Sequence, residues 1–357
     1  MTSFLAAAIQ MNSQPDLERN MELVGVDAAR AAREGARFIA LPENFAYLGS
    51  ELGKHRQADR IAEAVLEQIP ALARELGVYL LAGGFPVRTE PTEPTYPVGR
   101  MVARESGNPR SRVYNRAIVA DPSGSIIAQY DKIHLFDITL SDVEKYRESS
   151  LVAPGLPEAV VCDMNMYENE SEKNGQSKKM QGGATSENPQ SSATSENPQS
   201  NATSNNAQGN IESGDKQSDV ASTWSQTDPD DDKDGIVRLG LSICYDVRFP
   251  ELYRHLSAQG AQVLCVPSAF TRPTGAAHWE TLLRARAIEN TCYVIAPAQT
   301  GTHGKKRTTH GHSLIIDPWG TVLADAQKKP GVIYAEIDTG HIQDIRQKLP
   351  SLSHRKL

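Results

Sequence analysis

The stretch from Met164 to Gly235 constrains the fold of this 357-residue chain more than any other feature. It is poor in apolar residues and carries a repeat spaced by nine: Ala184-Thr-Ser-Glu-Asn-Pro-Gln-Ser-Ser, Ala193-Thr-Ser-Glu-Asn-Pro-Gln-Ser-Asn and a decayed copy from Ala202. Nine residues of this composition can neither bury a face nor stack into a solenoid, so disorder is expected over 164–235. A tolerated expansion explains such a segment more simply than a partner-binding arm. Any core must therefore be assembled from 1–163 and 236–350 as a single domain, with 351–357 as a C-terminal tail. Apolar runs flank the segment: Ala159 to Cys162 reads as a strand leading in, and Ile236 to Ile243 as a strand leading out. The segment thus reads as an enlarged hairpin tip. Stretching a short turn to this length is a few doublings, at about 0.6 kcal/mol of closure entropy each, which a large domain tolerates.

The net charge of −7 is concentrated in this segment, which holds 13 Asp and Glu against 5 Lys. Its local balance of −8 leaves the rest of the chain at +1. A nearly neutral body gives no electrostatic case for nucleic-acid or membrane binding. The apolar run Leu5 to Met11 is too short to span a bilayer and lacks a basic lead and a cleavage site. Cys162, Cys244, Cys265 and Cys292 show no CxxC spacing. Free thiols and a reducing cytoplasm follow.

Outside the segment, short apolar strands alternate with helices. Phe4 to Gln10 reads as a strand, followed by a helix capped by Asp16 and stopped at Gly35, then the strand Phe38 to Leu41. A helix from Pro70 to Leu76 with Gly77 as its cap precedes a strand from Val78 to Ala82, closed by Gly83-Gly84. Pro86 to Pro97 reads as an irregular loop. Beyond the segment, Pro250 to Ser257 and His278 to Ile288 read as helices, Gln262 to Val266 and Tyr293 to Ala296 as strands. Such alternation argues for an α/β protein. Two hairpins share an Asp-Pro-x-Gly turn, at Asp121 to Gly124 and Asp317 to Gly320, which hints at two similar halves.

Glu43, Lys132 and Cys244 each follow an apolar strand, with turn or helix residues just beyond. Groups from distant parts of a chain converge at that edge of a sheet built from αβ units. Cys244 falls at a strand-to-helix turn, where backbone N–H groups and the helix dipole favour thiolate and can hold an oxyanion. A carboxylate can take a thiol proton, and a lysine can stabilise both thiolate and oxyanion. Each residue also has a plain reading: a buried thiol, a helix-terminal carboxylate, a surface lysine. Spacing alone leaves the choice open.

Three blocks decide it: Leu41-Pro-Glu43-Asn-Phe, Tyr130-Asp-Lys132-Ile-His-Leu-Phe-Asp137 and Gly240-Leu-Ser-Ile-Cys244-Tyr-Asp-Val-Arg-Phe-Pro250. Together they resemble the signature motifs of the nitrilase superfamily of carbon–nitrogen hydrolases, over everything except the insertion. Pro267-Ser-Ala-Phe270, His278 to Glu289 and Gly311 to Gly320 are similar to its Nit branch. The resemblance implies a four-layer αββα sandwich, a homodimer or higher homo-oligomer in which sheets of two subunits stack, and no cofactor. It implies Glu43 as general base, Lys132 as stabiliser of the tetrahedral intermediate and proton donor, and Cys244 as nucleophile, with the backbone N–H of Tyr245 in the oxyanion hole. Glu148, in Tyr146-Arg-Glu148-Ser, matches a second glutamate beside these three. The implied reaction is hydrolysis of a small linear amide to acid and ammonia through a Cys thioester. Substrates would be α-keto acids with a terminal amide, deaminated glutathione ahead of α-ketoglutaramate. A nitrilase or acyl transferase would use the same residues, and an inactive interaction scaffold would keep the fold alone.

The remaining candidates read as structural. Cys162, Cys265 and Cys292 lie among apolar neighbours as core thiols. His310 and His312 form no HExxH or Cys/His cluster, which argues against a metal site. Arg284 and Arg286 read as helix ion pairs, and Arg248 as an anchor of the turn after Cys244. His134 is the one histidine beside a motif that would serve a papain-like Cys–His pair.

Overall fold

The structure is a computed structural model that describes residues 2–89, 112–139, 145–167, 235–304 and 307–356. The expected disorder of the insertion beyond Tyr167, and most of the Pro86–Pro97 loop, lie outside the described residues. The first half runs β1 (Ser3–Gln10), α1 (Leu17–Arg33), β2 (Ala36–Ala40), α2 (Glu51–Arg56), α3 (Ala58–Leu76), β3 (Tyr79–Arg88), β4 (Val113–Ala120) and β5 (Ile126–Asp131). Two short strands, β6 (Asp137–Thr139) and β7 (Lys145–Arg147), precede β8 (Val161–Asn165). The second half runs β9 (Ile236–Leu241), α4 (Pro250–Ala258), β10 (Val263–Cys265), α5 (Arg272–Asn290) and β11 (Tyr293–Ala296). It closes with β12 (Thr300–His303), β13 (Arg307–His310), β14 (Leu314–Ile316), β15 (Val322–Asp325), β16 (Gly331–Asp338) and α6 (Thr339–Lys348).

Two six-stranded sheets result, ordered β16-β1-β2-β3-β4-β5 and β15-β14-β11-β10-β9-β8. Each has three parallel strands at its centre, an antiparallel strand on one side and a hairpin on the other. The two hairpins sharing the Asp-Pro-x-Gly turn, β4–β5 and β14–β15, hold equivalent places. In both, the Asp side chain accepts backbone N–H bonds from the residues two and four ahead: Ser123 and Ser125 at 2.9 Å, Trp319 at 2.9 Å and Thr321 at 2.7 Å. The two halves are thus alike in topology, as the paired turns suggest.

Side-chain alternation sorts β1 into two cores. Phe4, Ala6 and Ala8 join the core that includes Val237, Leu239 and Leu241 of the other sheet and reaches α4 and α5. Ala7 and Ile9 face outward into a core built with Val24 and Ala28 of α1 and Ile61, Val65 and Ile69 of α3. Helix layers therefore flank two stacked sheets, the expected αββα sandwich. Cβ groups would crowd Gly240, whose nearest neighbours are Leu256 of α4, Ala261 and Leu264, so a glycine lets that helix lie close on β9.

Several elements extend beyond the sequence expectation. Helix α3 begins at Ala58, and Pro70 lies within it. Buried Ala58, Ile61, Val65, Ile69 and Ala73 keep helical spacing through it, each large side chain worth about 1.5–3 kcal/mol of burial. That outweighs the single hydrogen bond proline forfeits at the carbonyl of half-exposed Leu66. Helix α5 starts at Arg272, six residues before His278, because Pro273 in the first turn needs no N–H partner. Gly275 there clears the His310 side chain, whose Cβ is 2.3 Å from where a Cβ on residue 275 would stand. Strand β3 continues through Gly83-Gly84 to Arg88 by a register shift, so Pro86 is strand. Strand β8 runs to Asn165, past the Met164 boundary, and pairs antiparallel with β9 from Val161–Gly240 to Asn165–Ile236. The bond from Met166 N–H to the Gly235 carbonyl, 2.7 Å, closes that neck, which confirms the hairpin reading.

Candidate active site

Backbone geometry brings the motif residues together. Glu43 sits just past β2, on a segment held to β3 by Leu41 N–H on the Leu81 carbonyl at 2.9 Å and Asn44 N–H on the Gly84 carbonyl at 2.7 Å. A Cβ on Gly83 would stand 2.5 Å from the Leu41 and Pro42 carbonyl oxygens, and one on Gly84 2.1 Å from the Asn115 side chain. Only glycines let the strand pass so close beneath Glu43. Lys132 follows β5 and is tied to β4 by its N–H on the Asn115 carbonyl, 2.9 Å. Glu148 opens a single 3-10 turn after β7. Cys244 follows β9 at φ 50°, a left-handed conformation costly for a residue with a Cβ. Its N–H is held by the Pro267 carbonyl at 2.9 Å, and a 3-10 turn over Cys244–Arg248 leads into α4.

Glu43, Lys132 and Cys244 are buried, at 3, 1 and 7% exposure. Lys132 Nζ lies 3.1 Å from Glu43 Oε1 and 2.9 Å from Glu148 Oε2. Burial works against the Lys132 charge, but Glu148 and Glu43 overcome it and hold the ammonium well above its ordinary pKa. Glu43 is likewise opposed by burial, yet Lys132 and Lys54 hold its carboxyl below the usual range. The Ala269 N–H donates to Glu43 Oε2 at 3.0 Å, and Cys244 lines the same cavity as this carboxylate. Burial and then the Glu43 charge push the Cys244 thiol up, and Lys132 offsets only part. The resting pair is therefore a thiol and a carboxylate, which corrects the expectation of a thiolate favoured by the helix terminus. Desolvation and an adjacent anion outweigh a dipole that acts from one short turn.

Sequence reasoning missed Asn115. Its Nδ2 donates to Glu43 Oε1 at 2.9 Å and to Glu148 Oε1 at 3.3 Å, bridging the same two carboxylate oxygens that Lys132 Nζ contacts. It also missed Asp246, fully buried two residues past the cysteine. Asp246 accepts from the Ile243 N–H at 2.9 Å, the His134 N–H at 3.0 Å and the Tyr130 hydroxyl at 2.6 Å. One side chain thus locks the turn bearing Cys244 to the segment bearing Lys132. His134 is spent on that lock: its Nδ1 is 2.8 Å from Asp246 Oδ1 and its ring stacks on Phe249 at 3.6 Å. It does not line the cavity, which removes the support for a Cys–His pair.

The four side chains open into one cavity of about 130 Å³, lined further by Phe136, Tyr146, Tyr245, Phe270 and Thr274. The Tyr245 N–H points to no acceptor among the described residues. Lys54, Glu51 and Arg307 line the same cavity. Arg248 packs over the Tyr245 and Phe270 rings at 5.6 and 5.4 Å, consistent with an anchor of the turn. Arg286 is buried, with Nε on the Val247 carbonyl at 3.0 Å and Nη1 on Glu289 at 2.8 Å, and Arg284 donates to the Gly320 carbonyl at 2.8 Å. Cys162, Cys265 and Cys292 are buried core thiols without disulfides. Among the described residues, no group of three His, Cys, Asp or Glu is placed to hold a metal, and no helix is long and apolar enough to cross a membrane.

The whole chain has known relatives. The deaminated glutathione amidase of Synechocystis is 40% identical over 355 residues, covering 99% of both chains. That of Bos taurus is 32% identical, covering 99% of this chain and 82% of its own. The crystal structure of Caenorhabditis elegans NitFhit superposes with a TM-score of 0.69 at 30% identity, over all of this chain and 66% of that one. Saccharomyces cerevisiae Nit3 shares the fold, with a TM-score of 0.64 at 22% identity, covering 98% of this chain and 95% of its own. The family model for carbon–nitrogen hydrolases matches residues 5–347. With its motif blocks gathered at one cavity, this chain is an enzyme of the carbon–nitrogen hydrolase family.

Proposed function

We propose that the protein hydrolyses a small linear amide by two displacements at Cys244, with deaminated glutathione as its substrate. The observation that carries this is the gathering of buried Cys244, Glu43 and Lys132 at one cavity, with Lys132 Nζ 3.1 Å from Glu43 Oε1. As Cys244 Sγ attacks the amide carbon, its proton passes to Glu43. Lys132 Nζ and the Tyr245 N–H hold the oxyanion, a stabilisation worth most in a dry site. The C–N bond then breaks, and the departing amine takes a proton from Glu43 or Lys132. Water, deprotonated by Glu43, attacks the thioester; its collapse releases the acid and restores the thiol. Glu148 and Asn115 position Lys132 and Glu43.

The names of the relatives support deaminated glutathione over α-ketoglutaramate. Its scissile amide joins the keto acid to the amine of cysteinylglycine, so that dipeptide is the leaving group; the ammonia implied by the sequence reading belongs to α-ketoglutaramate. Both substrates yield 2-oxoglutarate. Following that acid from each, with ammonia measured in parallel, ranks the substrates, and no acid from either with the thiol intact overturns the proposal.

We also propose a cytoplasmic homo-oligomer with one hydrolase domain built from 1–163 and 236–350. Four cysteines without a disulfide support the compartment. Exposed Ile288, Trp319 and Leu323 support self-association. Sedimentation of the purified protein checks it.

A further inference from the structure

The reaction leaves one buried cation unused. Arg286, on α5, is 5% exposed and does not line the catalytic cavity. A guanidinium cannot shed its charge, so it is buried only where several partners hold it. Its Nε donates to the Val247 carbonyl at 3.0 Å and its Nη1 to Glu289 Oε1 at 2.8 Å. Its Cζ stands 5.3 Å from the centre of the Tyr253 ring.

Two of these partners lead to the turn that carries Cys244. Val247 lies inside the 3-10 turn Cys244–Arg248, two residues past Tyr245. Tyr253, on α4, hydrogen-bonds through its hydroxyl to Ser242 Oγ at 2.8 Å, two residues before Cys244. Ser242 Oγ in turn donates to the Cys265 carbonyl at 2.9 Å. One side chain thus braces the turn on both sides of the nucleophile. Cys244 at φ 50° needs such bracing, because a strained backbone persists only where its surroundings over-determine it. Asp246 fastens the turn to the segment of Lys132; Arg286 fastens it to α5.

We propose that Arg286 is a positioning residue for the oxyanion hole: by holding the Val247 carbonyl and the Tyr253 ring, it keeps the Tyr245 N–H aimed at the oxygen of the tetrahedral intermediate. This rests on the amidase function proposed above. Proton transfer from the Cys244 thiol does not run through Arg286, since the charges that chiefly shift that thiol are those of Glu43 and Lys132. The competing explanation is that Arg286 only ties α5 to the core.

Two reactions at Cys244 separate these. Amide cleavage passes through an oxyanion, whereas iodoacetamide loses iodide from a methylene carbon and forms none. In Arg286→Met, kcat for deaminated glutathione should fall about tenfold to a hundredfold with KM within about threefold, as when an oxyanion donor is displaced. Alkylation of Cys244 should stay within about threefold of the wild-type rate. Arg286→Lys, which keeps the charge but not the planar fork, should recover part of kcat. Should Arg286→Met fail to fold, Tyr253→Phe, which removes only the hydroxyl on Ser242, should show the same pattern at smaller amplitude. Propanal reads the hole without turnover: the Cys244 sulfur adds to its carbonyl carbon, the thiol proton passes to its oxygen, and the adduct blocks iodoacetamide. The variants should need severalfold more propanal for the same protection. Weaker protection in the variants, with no amide turned over by the wild type, would overturn the amidase function and keep the role of Arg286. Equal losses of kcat and alkylation, an unchanged kcat, or no protection of the wild type by propanal would overturn that role.

Discussion

Tyr130 donates its hydroxyl to the buried carboxylate of Asp246 at 2.6 Å, joining residues 116 positions apart. Tyr130 stands two residues before Lys132 and Asp246 two residues after Cys244. The bond therefore fixes the distance between two groups that must act together. Burial and the Asp246 charge both push the tyrosine pKa well up, so the phenol stays a donor at every pH at which the protein works. Tyr130→Phe should destabilise the protein by about 1.5–3 kcal/mol, the usual range for a hydrogen bond to a charged group. Urea unfolding, with the m-value unchanged, measures it.

Asn115 should matter to rate more than to binding. It touches Glu43 and Glu148 but does not line the cavity. Asn115→Ala should lower kcat by about tenfold to a hundredfold while KM moves little, as expected when positioning is lost. A parallel rise in KM would place Asn115 in substrate binding.

Glu148 holds the Lys132 proton. Replacing it with Gln removes the largest charge that raises the Lys132 pKa, so the ammonium deprotonates at lower pH. The alkaline limb of the kcat–pH profile should move down in Glu148→Gln, with the acidic limb in place. The same shift has a stability counterpart. Because the folded Lys132 pKa is raised above its unfolded value near 10.4, its contribution is full below that pH and is lost as pH rises further. The variant should lose its advantage at lower alkaline pH than the wild type, which thermal unfolding from roughly pH 10 to 12, above the unfolded lysine pKa, detects.

Thiol chemistry should single out Cys244. Cys265 and Cys292 are fully buried, and Cys162, at 8% exposure, is not among the residues that line the cavity of Glu43. Burial pushes Cys162 up to about 12 and Cys292 to about 11. Cys244 has a carboxylate that can take its proton as it attacks. Iodoacetamide, itself an amide, should alkylate Cys244 first, and Glu43→Gln should slow that reaction at least tenfold. Equal labelling of Cys162 and Cys244, read by mass spectrometry of peptides, would count against activation by Glu43.

Glu43, Lys132 and Cys244 were named because their blocks resemble the family's motifs, and Glu148 by that resemblance alone; the local setting of each left a plain structural reading open, and the structure places all four at one cavity. The similar halves were legible from two turns in which an aspartate satisfies the same N–H groups. Asn115 and Asp246 were not. Their neighbours in sequence carry no motif signal for Asn115, and Asp246 reads as one more polar residue of a turn until Tyr130 and His134 are seen to converge on it. The protonation state of Cys244 was misread for a related reason. Local sequence shows the helix that follows a cysteine, but burial and an anion brought from residue 43 are set by packing. Helix α3 was shortened because Pro70 looks like a start to any local reading, and only the buried face from Ala58 onward shows that it lies inside.

Strand β9 meets the chain's two extremes at its two ends. Cys244 follows its C-terminal end, while the pairing of Asn165 with Ile236 closes its N-terminal end, about 20 Å away at 3.3 Å per residue. Severing the backbone between Tyr167 and Gly235 would leave two fragments that exchange strands: β16 of the second completes the sheet of the first beside β1, and β8 of the first edges the sheet of the second. Glu43, Lys132 and Glu148 would travel with one fragment and Cys244 with the other. Neither piece would hold a complete set of reacting groups, so turnover after such a cut would require both pieces to be joined through these two sheets.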